Sequence, residues 1–284
     1  MYKAKILCDS LSPYGVRLTT MEVTYPRFVH SEFMTHRMFS RNAASSRAIP
    51  INTMIKNILA DPVFPTYWGM NKAGMQASEE IDEDYQLIAR GRIEDHLNTS
   101  VELAKSLSDL YRVEEDGKIV KIGLHKQIVN RYLEPWMWIT VIVSATEWDN
   151  FFHLRCHPDA QPEIQKIAYM MEELYHTHAP TERTLHLPLI YEEDQTLSIA
   201  HLKMVSVGRC ARVSYLTHDG RRDPTADIEL CTRLIESGHW SPFEHVAVAA
   251  GSPDQWSGNL RGWNQYRKEF KNENFIRSLG ISES

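Results

Sequence analysis

The chain has 284 residues, of which 43% are hydrophobic and 24% are charged, and its formal net charge is -6. This composition is typical of a globular protein with a core of normal size, and the negative charge argues against binding of a nucleic-acid polymer. Because no apolar run reaches the length of a membrane span, we expect no membrane partner and no secretory signal. The four cysteines are scattered without a CxxC pair, which argues against a zinc knuckle and favours a reducing, cytoplasmic location.

In chain order, residues 3–30 alternate loosely between apolar and polar side chains and predict two strands joined by the turn SPYG. The apolar residues of RFVHSEFMTHRMFS (27–40) have helical spacing and predict a helix. The cation- and hydroxyl-rich residues from position 35 onward are therefore predicted at the end of this helix and in the loop that follows it. Residues 61–77 carry prolines, glycines and aromatic residues without periodicity and predict a long loop. Its length makes it a candidate for function, and the alternative is a surface loop without function. Residues 78–111 predict a long charged helix that Gly91 could divide in two.

The second half of the chain mixes helices and strands. HKQIVNRYLEP predicts a helix that ends near Pro135, and the β-branched run MWITVIVSAT predicts a buried strand. Helices are predicted over EWDNFFHLRC, AQPEIQKIAYMMEELYHTH and ADIELCTRLIESG, the last ending at Gly238. We therefore predict one α+β domain over residues 1–284, with a mixed sheet and long helices.

The segment THRMFSRNAASSRAIP (35–50) combines cations and hydroxyl groups in a short space. Arginines and serines near a helix end can bind an anion. Arg47 could form two hydrogen bonds to a phosphate while Ser45 and Ser46 donate to it. The alternative is a solvated helix end with surface arginines.

The segment NFFHLRCHPDAQPEIQ (150–165) places Arg155 among apolar residues, where a charge needs a partner or a ligand. An acid such as Asp159 or Glu163 is one candidate partner. His153, Cys156 and His157 have the spacing of metal ligands, but Pro158 and the lack of a clear third ligand argue against a metal, and none is predicted.

Two further segments carry candidate residues. GHWSPFEH (238–245) places His239, Ser241 and Glu244 in a turn after a helix, where they could contact a ligand. The alternative is that these residues only terminate the helix, with a serine in a capping role. In HKQIVNRYLEP, Arg131 could reach a ligand or simply face solvent.

Together these segments resemble the flavin-dependent thymidylate synthase family, whose signature reads R-H-R-x-x-S-x-N-E-x-S-x-R-Y. The corresponding segment here is T-H-R-M-F-S-R-N-A-A-S-S-R-A. It matches the signature at His36, Arg37, Ser40, Asn42, Ser45 and Arg47, and departs from it at Thr35, Ala43 and Ala48. Upstream, Glu32 stands where the family usually has a nucleotide-contacting Gln.

Other segments extend the resemblance. Residues 150–165 resemble the family's N-F-x-x-L-R-x-D-x-x-A-Q-x-E-I-Q, with the Asp position not kept, and RYLEP resembles its R-x-x-L-P. ARVSY (211–215) and GHWSPFEH resemble its A-R-V-S-F and G-H-x-T-P-F-E-H, which precede the signature in ordinary members. The order implies a circularly permuted, virus-type member in which residues 205–284 correspond to the usual N-terminal part.

The stretch NLRGWNQYRKEF (259–270) also resembles the sequence that leads into the family's R-H-R. Arg261, Gln265 and Arg267 are candidates to replace functions that the signature segment has lost. The alternative is a basic face on a C-terminal helix.

The resemblance implies conversion of dUMP to dTMP, with carbon from methylene-tetrahydrofolate, hydride from reduced FAD, and NADPH as the reductant of the flavin. It implies a homotetramer with flavin sites between subunits, in the host cytoplasm if the protein is virus-encoded. The implied nucleotide-binding residues are Glu32, Ser45, Ser46, Arg47, Arg131 (from another subunit) and Arg155. Arg155 is also the implied catalytic residue, because a guanidinium beside N3 and a carbonyl stabilises the charge that makes C5 nucleophilic. The implied cofactor-binding residues are His36, Arg37, Asn42, Ser144, Asn150, His239, Ser241 and Glu244.

The departures from the signature keep alternatives open. One is hydroxymethyl transfer, or action on a cytosine nucleotide; another is a nucleotide- or flavin-binding protein without turnover. Cys156 beside Arg155 raises the question of a thiolate nucleophile, but the sequence favours a buried structural cysteine. The loop at 67–77 is a candidate cover for the site.

Overall fold

A computed structural model describes residues 1–74, 76–77, 79–213 and 222–274 of the chain. The strands are β1 (Lys3–Leu11), β2 (Arg17–Pro26), β3 (Ser40–Ala43), β4 (Tyr111–Val113), β5 (Ile119–Lys121), β6 (Trp138–Ala145), β7 (Thr181–Glu182), β8 (Leu185–His186), β9 (Ala247–Ala249), β10 (Trp256–Ser257), β11 (Leu260–Arg261) and β12 (Trp263–Gln265). The α-helices are α1 (His30–Phe33), α2 (Ile51–Ala60), α3 (Glu83–Ser108), α4 (Lys126–Val129), α5 (Asp149–Arg155), α6 (Pro162–Thr177), α7 (Ile199–Arg212) and α8 (Pro224–Ser237). Short 3-10 helices cover Arg27–Val29, Asn130–Trp136, Glu192–Thr196, Ser241–His245, Tyr266–Glu269 and Lys271–Asn274.

The first two strands form the antiparallel hairpin that the sequence predicts. The register pairs Lys3 with Thr24 and Leu11 with Arg17. Gly15 closes the turn at a φ of +78°, a conformation that glycine adopts without a steric penalty.

The central sheet of the described residues has the strand order β3-β6-β2-β1-β7. The strands β1 and β7 run parallel, whereas the other neighbours are antiparallel. The sheet is therefore mixed, and the predicted α+β class with long helices is confirmed.

Helices cover both faces of this sheet because successive residues of β6 point in opposite directions. Val141 and Val143 pack with Met21 against α5 and α6, and Ile164 of α6 lies fully buried there. Ile142 points to the other face and packs with Cys210 of α7. Fully burying one such aliphatic side chain stabilises the fold by about 1.5–3 kcal/mol.

The signature segment differs from its prediction. Helix α1 ends at Phe33, and Ser40–Ala43 form strand β3 rather than a loop. The cause is tertiary: β3 pairs with β6, and Ser40 lies opposite Ser144 in the register. The hydroxyl- and cation-rich residues are thus attached to an edge of the central sheet.

Two helix predictions need correction. Helix α3 continues through Gly91 without a break, because one glycine costs only about 1 kcal/mol in a helix of this length. The helix expected to end near Pro135 is α-helical only to Val129 and continues as a 3-10 helix that includes the proline. The hairpin of β4 and β5 follows α3, with Gly117 in its turn at a φ of +82°.

The C-terminal part packs against the central sheet. Strands β12, β9 and β8 form a second sheet, and the 3-10 helix Ser241–His245 contacts β3. The alternative of a basic helix over 259–270 is wrong, because this stretch forms β11, β12 and a 3-10 turn. In the segment ARVSY, residues 214 and 215 lie outside the described residues.

Helix α8 ends as predicted at Gly238, which adopts a left-handed conformation at a φ of +69°. No helix among the described residues is both long and apolar enough to cross a membrane.

Candidate active site

Arg155 lies at the C-terminal end of α5, and its guanidinium contacts α1 and the residues just after it. Its Nε donates a hydrogen bond of 3.0 Å to Nε2 of His36. Its Nη1 donates to Oε2 of Glu32 at 3.2 Å. Arg155 and Glu32 keep 20% and 34% of their side-chain surface exposed, so a ligand can still reach both. The fold thus brings together three residues that the sequence predicted as ligand contacts, and the partner of Arg155 is Glu32 rather than Asp159 or Glu163.

His36 is a neutral hydrogen-bond acceptor in this cluster. Burial, and then the nearby cations Arg155 and Arg41, lower the pKa of His36 to about 4. The ring meets Phe151 edge-on at a centroid distance of 4.9 Å. Because the imidazole is neutral at physiological pH and fixed by an aromatic core, it can accept from Arg155 without repelling it.

Arg41 closes the turn between α1 and β3. Its Nη1 donates to the carbonyl oxygens of Phe33 at 3.1 Å and His36 at 2.9 Å. Arg41 was not among the predicted ligand-binding residues. Its only signal was its place in the cation-rich segment.

A second group of predicted residues meets around Glu134. The Glu134 carboxylate accepts from Ser46 Oγ at 2.9 Å and from Arg131 Nη1 at 2.7 Å. It also pairs with Arg27 at 3.0 Å. Burial alone would raise the pKa of Glu134, but the hydrogen bonds from Arg27 and Ser46 outweigh it and lower the pKa. Ser46 and Arg131 of one chain are therefore held at the same carboxylate.

The turn at residues 45–48 is held by hydrogen bonds from the segment that carries Arg131. Asn130 Nδ2 donates to the carbonyl oxygens of Ser46 and Ile49, and Lys126 Nζ donates to that of Ala48 at 2.8 Å. Arg47 projects from this turn as an exposed side chain. Glu134 and Asn130 were missed from the sequence, although both lie close to the predicted Arg131.

A third group joins β3 to the turn at GHWSPFEH. Asn42 Nδ2 donates to the carbonyl oxygen of Cys210 at 2.8 Å. Ser241 Oγ lies 3.4 Å from Oδ1 of Asn42. Glu244 pairs with Arg267, and Arg37, Asn150 and His239 are exposed.

Ser144 has a different environment from the other predicted cofactor residues. It is fully buried, and its hydroxyl bonds Thr20 and Nδ1 of His245 within the protein. Nε2 of His245 has no hydrogen-bond partner among the described atoms. The buried position makes Ser144 part of the support beneath the site.

The stretch 259–270 lies beside the signature segment. Asn259 Nδ2 donates to the carbonyl oxygen of Met38 at 2.8 Å, and Ser40 Oγ donates to Asn259 Oδ1. Gln265 Nε2 contacts the same two side chains. Three residues of this stretch were named from sequence. Gln265 contacts Ser40, Arg267 pairs with Glu244, and Arg261 pairs with Glu147, which is not a residue of the signature.

The loop at 67–77 contacts the segment that follows Arg155. Gln76 Nε2 donates to the carbonyl oxygen of Asp159 at 3.0 Å. The loop and that segment border a cleft of about 480 Å³, which Phe28 and Gln161 also line.

Cys156 is not an activated thiol. Burial, with a further contribution from Glu172, raises the pKa of Cys156 to about 12. Within the described part of the chain, no three His, Cys, Asp or Glu side chains are grouped to hold a metal ion.

Fold and site together define an α+β protein in which arginines, serines and a neutral histidine gather at the edge of a mixed sheet. The family model for thymidylate synthase complementing protein matches residues 11–181, which is more than half of the chain. The chain belongs to this family.

Solved structures of a UMP/dUMP methylase, PolB from Streptomyces cacaoi, are similar to part of the chain. The one bound with 5-Br dUMP is 18% identical with a TM-score of 0.40, covering 58% of this chain and 68% of PolB. The one bound with 5-Br UMP is 15% identical with a TM-score of 0.44, covering 62% and 89%. No curated protein matches the chain.

Proposed function

We propose that the protein transfers a one-carbon unit from methylene-tetrahydrofolate to C5 of a pyrimidine deoxynucleotide, converting dUMP to dTMP in a flavin-dependent reaction. Family membership supports a methyltransferase that acts on C5 of a pyrimidine nucleotide. The observation that carries the proposal is the cluster of Arg155, His36 and Glu32, since it presents a partly exposed guanidinium with N–H groups that no hydrogen bond engages within the described residues.

Arg155 is the proposed catalytic residue. A guanidinium has five N–H donors, and the contacts with His36 and Glu32 occupy two of them. The remaining donors, on Nη1 and Nη2, can face O2 and the ionised N3 of the uracil ring. There they would stabilise the negative charge that makes C5 nucleophilic, because a fixed cation in a partly buried site costs no reorganisation.

The phosphate of the nucleotide is proposed to bind at the turn of Ser45, Ser46 and Arg47, with Arg131. The shared carboxylate of Glu134 supports this assignment, since it holds Ser46 and Arg131 together. Arg131 was expected to act on a nucleotide from another subunit. If subunits assemble as the family resemblance implies, Arg131 and the serine turn of one subunit would meet the base site of the next.

The residues present fit a flavin. Arg37 is exposed, and no hydrogen bond or ion pair engages it within the described residues, so it can pair with a pyrophosphate. Exposed polar side chains at Asn150, His239 and Ser241 can hold other parts of the cofactor, with His36, Asn42, Ser144 and Glu244 proposed as further contacts or support. When bound, reduced FAD supplies the hydride that completes the methyl group, and NADPH restores the reduced flavin.

The transfer balances as follows. A bond forms between C5 and the methylene carbon, the two bonds from that carbon to the two folate nitrogens break, and each nitrogen takes up a proton. The hydrogen on C5 leaves as a proton, and one hydride reduces the transferred carbon to a methyl group.

An assembly of several copies, a homotetramer by the family resemblance, is part of the proposal. Exposed apolar side chains on α3 support it, notably Leu87 at 72% and Tyr85 at 63% exposed, since such side chains are usually covered in an oligomer. The same proposal includes a single domain over residues 1–284 and a cytoplasmic location. It also includes the permuted order, in which residues 205–284 correspond to the family's usual N-terminal part. Contact of the Ser241–His245 turn with β3 supports the permutation, because it joins the late segment to the signature.

The test is to purify the protein, record its absorbance for flavin, and incubate it with dUMP, methylene-tetrahydrofolate and NADPH. The expected product carries the mass of one additional CH₂ group, and dUMP accelerates reoxidation of the reduced flavin. A product with one further oxygen would identify hydroxymethyl transfer. A yellow protein that leaves the nucleotide unchanged would contradict the proposal and identify a binding protein without turnover.

A further inference from the structure

We propose that Glu134 binds the 3′-hydroxyl of the nucleotide, so that the site accepts a free 5′-monophosphate and rejects a nucleotide whose 3′ oxygen carries a phosphate. The inference rests on the proposed function, which places the 5′-phosphate at the turn of residues 45–47, and it specifies how the sugar is recognised. Its structural origin is a carboxylate that uses one of its two oxygens within the described part of the chain.

One oxygen of Glu134 collects the protein donors. Oε1 accepts from Ser46 Oγ at 2.9 Å and from Arg131 Nη1 at 2.7 Å, and it pairs with Arg27 Nη2 at 3.0 Å. Among the described residues no hydrogen bond or ion pair engages Oε2, and the side chain is 24% exposed. A carboxylate at neutral pH only accepts hydrogen bonds, so Oε2 can accept one from a ligand.

Other acceptors near the turn are already used or buried. The carbonyl oxygens of Ser46 and Ile49 accept from Nδ2 of Asn130. Oδ1 of Asn130 has no partner among the described atoms, but it is buried and a ligand cannot reach it. Among these groups, Oε2 of Glu134 is the acceptor that a ligand can contact.

A carboxylate beside a phosphate site needs a cation that offsets its charge. Arg27 supplies this cation from the protein side, with 17% of its side chain exposed. Arg131 is half exposed and Arg47 is exposed, so their guanidinium groups can meet the charges of a phosphate monoester. Glu134 can therefore lie at this turn without excluding the 5′-phosphate.

The chemistry of a deoxynucleotide identifies the group that Oε2 would bind. The 3′-hydroxyl is the free hydroxyl of the sugar, and its carbon is bonded directly to the carbon that carries the 5′-phosphate arm. A hydroxyl donates to a carboxylate in a charge-assisted hydrogen bond, which is about twice as strong as a neutral one. A 3′-phosphate offers negative charge in the same place, and a carboxylate repels it.

The test measures binding of three nucleotides to the flavin-loaded protein by calorimetry. They are dUMP, its 2′,3′-dideoxy analogue, which lacks the hydroxyl, and its 3′-phosphorylated analogue. Wild type is expected to bind dUMP about tenfold or more tightly than either analogue, since a hydrogen bond to a charged group is lost or replaced by repulsion.

Glu134→Gln changes this pattern in a defined direction. The three donors at Oε1 keep an oxygen in that position, so the amide nitrogen replaces Oε2 and presents N–H donors. The preference for dUMP over the dideoxy analogue should fall about threefold, because the remaining hydrogen bond is neutral, and the 3′-phosphorylated analogue should gain about tenfold relative to dUMP. Glu94→Gln is the matched control, since it removes the carboxylate of an Arg–Glu pair on α3 and should leave both ratios unchanged.

The outcomes separate the two proposals. Equal binding of dUMP and the dideoxy analogue by wild type, or unchanged ratios in Glu134→Gln, overturns the inference and leaves the proposed function intact when dUMP is converted. A Glu134→Gln variant that weakens all three nucleotides equally shows a structural role and also overturns the inference. Failure to convert dUMP overturns the proposed function, whereas the binding ratios still test Glu134. If Glu134→Gln does not fold, the wild-type preference for dUMP over both analogues decides.

Discussion

Replacing Arg155 with alanine should separate catalysis from folding. The substitution removes the guanidinium that bridges His36 and Glu32, and it leaves the rest of α5 in place. Under the proposed function the same group stabilises charge on the pyrimidine. Turnover should therefore fall steeply while the protein remains folded and binds flavin.

The expected loss of stability is small because the pair is partly solvated. Arg155 and Glu32 are 20% and 34% exposed, and ion pairs of this kind contribute about 0–1 kcal/mol. The hydrogen bond to His36 adds about 0.5–1.5 kcal/mol. The free energy of unfolding should fall by roughly 1–2 kcal/mol, which corresponds to a few degrees in Tm.

The expected loss of activity is much larger. Removing one group that stabilises developing charge lowers kcat by about 10²–10³, or roughly 2.7–4 kcal/mol of transition-state stabilisation. The assay is kcat and kcat/KM with dUMP and dCMP, alongside thermal unfolding and flavin absorbance. Arg90→Ala is the matched control, because Arg90 forms an exposed ion pair with Glu94 on α3 and should leave kcat unchanged.

Turnover in Arg155→Ala within threefold of wild type would refute the catalytic assignment. A variant that loses flavin and unfolds many degrees earlier would instead show that Arg155 acts in the structure.

Three further predictions test the surrounding structure. The pKa of His36 is about 4 in the folded protein and about 6.5 in the unfolded chain, so the unfolded state binds more protons between these two pH values. The free energy of unfolding should therefore fall as the pH drops through this window, by roughly 2–3 kcal/mol at pH 4.5. Urea unfolding at several pH values should show a smaller fall in His36→Gln than in wild type. Arg131→Ala should weaken dUMP binding about tenfold, since a charge-assisted hydrogen bond is lost, while calorimetry with deoxyuridine should show no change. Gly238→Ala should destabilise the protein by about 1–2 kcal/mol because Gly238 has a φ of +69°, whereas Gly91→Ala, in an open helical position, should stabilise it by up to about 1 kcal/mol.

Each of these has a result that contradicts it. An identical pH dependence in wild type and His36→Gln would mean that His36 does not titrate as described. Equal losses for dUMP and deoxyuridine in Arg131→Ala would remove Arg131 from the phosphate site. The same sign for both glycine variants would contradict the assigned helix end.

The elements with strong local patterns could be predicted from sequence. The hairpin of β1 and β2 follows from alternation around SPYG, and β6 from a run of β-branched residues. Helix α8 follows from apolar spacing and the terminal Gly238. Each of these signals lies within a window of about fifteen residues, where period and turn chemistry decide the structure.

The pairing of β3 could not be predicted in this way. Ser40–Ala43 contains no β-branched or large apolar residue, and its strand conformation comes from pairing with β6 about a hundred residues later. Tertiary pairing overrides weak local preference.

The candidate site shows the same division. Its residue types were evident in the cation-rich segment and around Arg155, but their partners were not. Glu32 lies 123 residues before Arg155, and Asn259 lies 221 residues after Met38. Such contacts depend on the packing of whole elements, so the sequence predicted nearby acids instead.

Glu134 was missed for a different reason. It follows Arg131 by three residues and forms an ordinary helical pair with it. Only the structure reveals that Ser46 and Arg27 share its carboxylate.

Carbon transfer to the pyrimidine ring is the central claim, and isotope labelling tests it most directly. The protein is incubated with methylene-tetrahydrofolate labelled with ¹³C at the methylene carbon, NADPH, and dUMP or dCMP carrying tritium at C5. The account predicts that ¹³C appears in a new substituent on C5 of one nucleotide as tritium is released to water. Retention of tritium in both nucleotides, with no ¹³C in either, would contradict it.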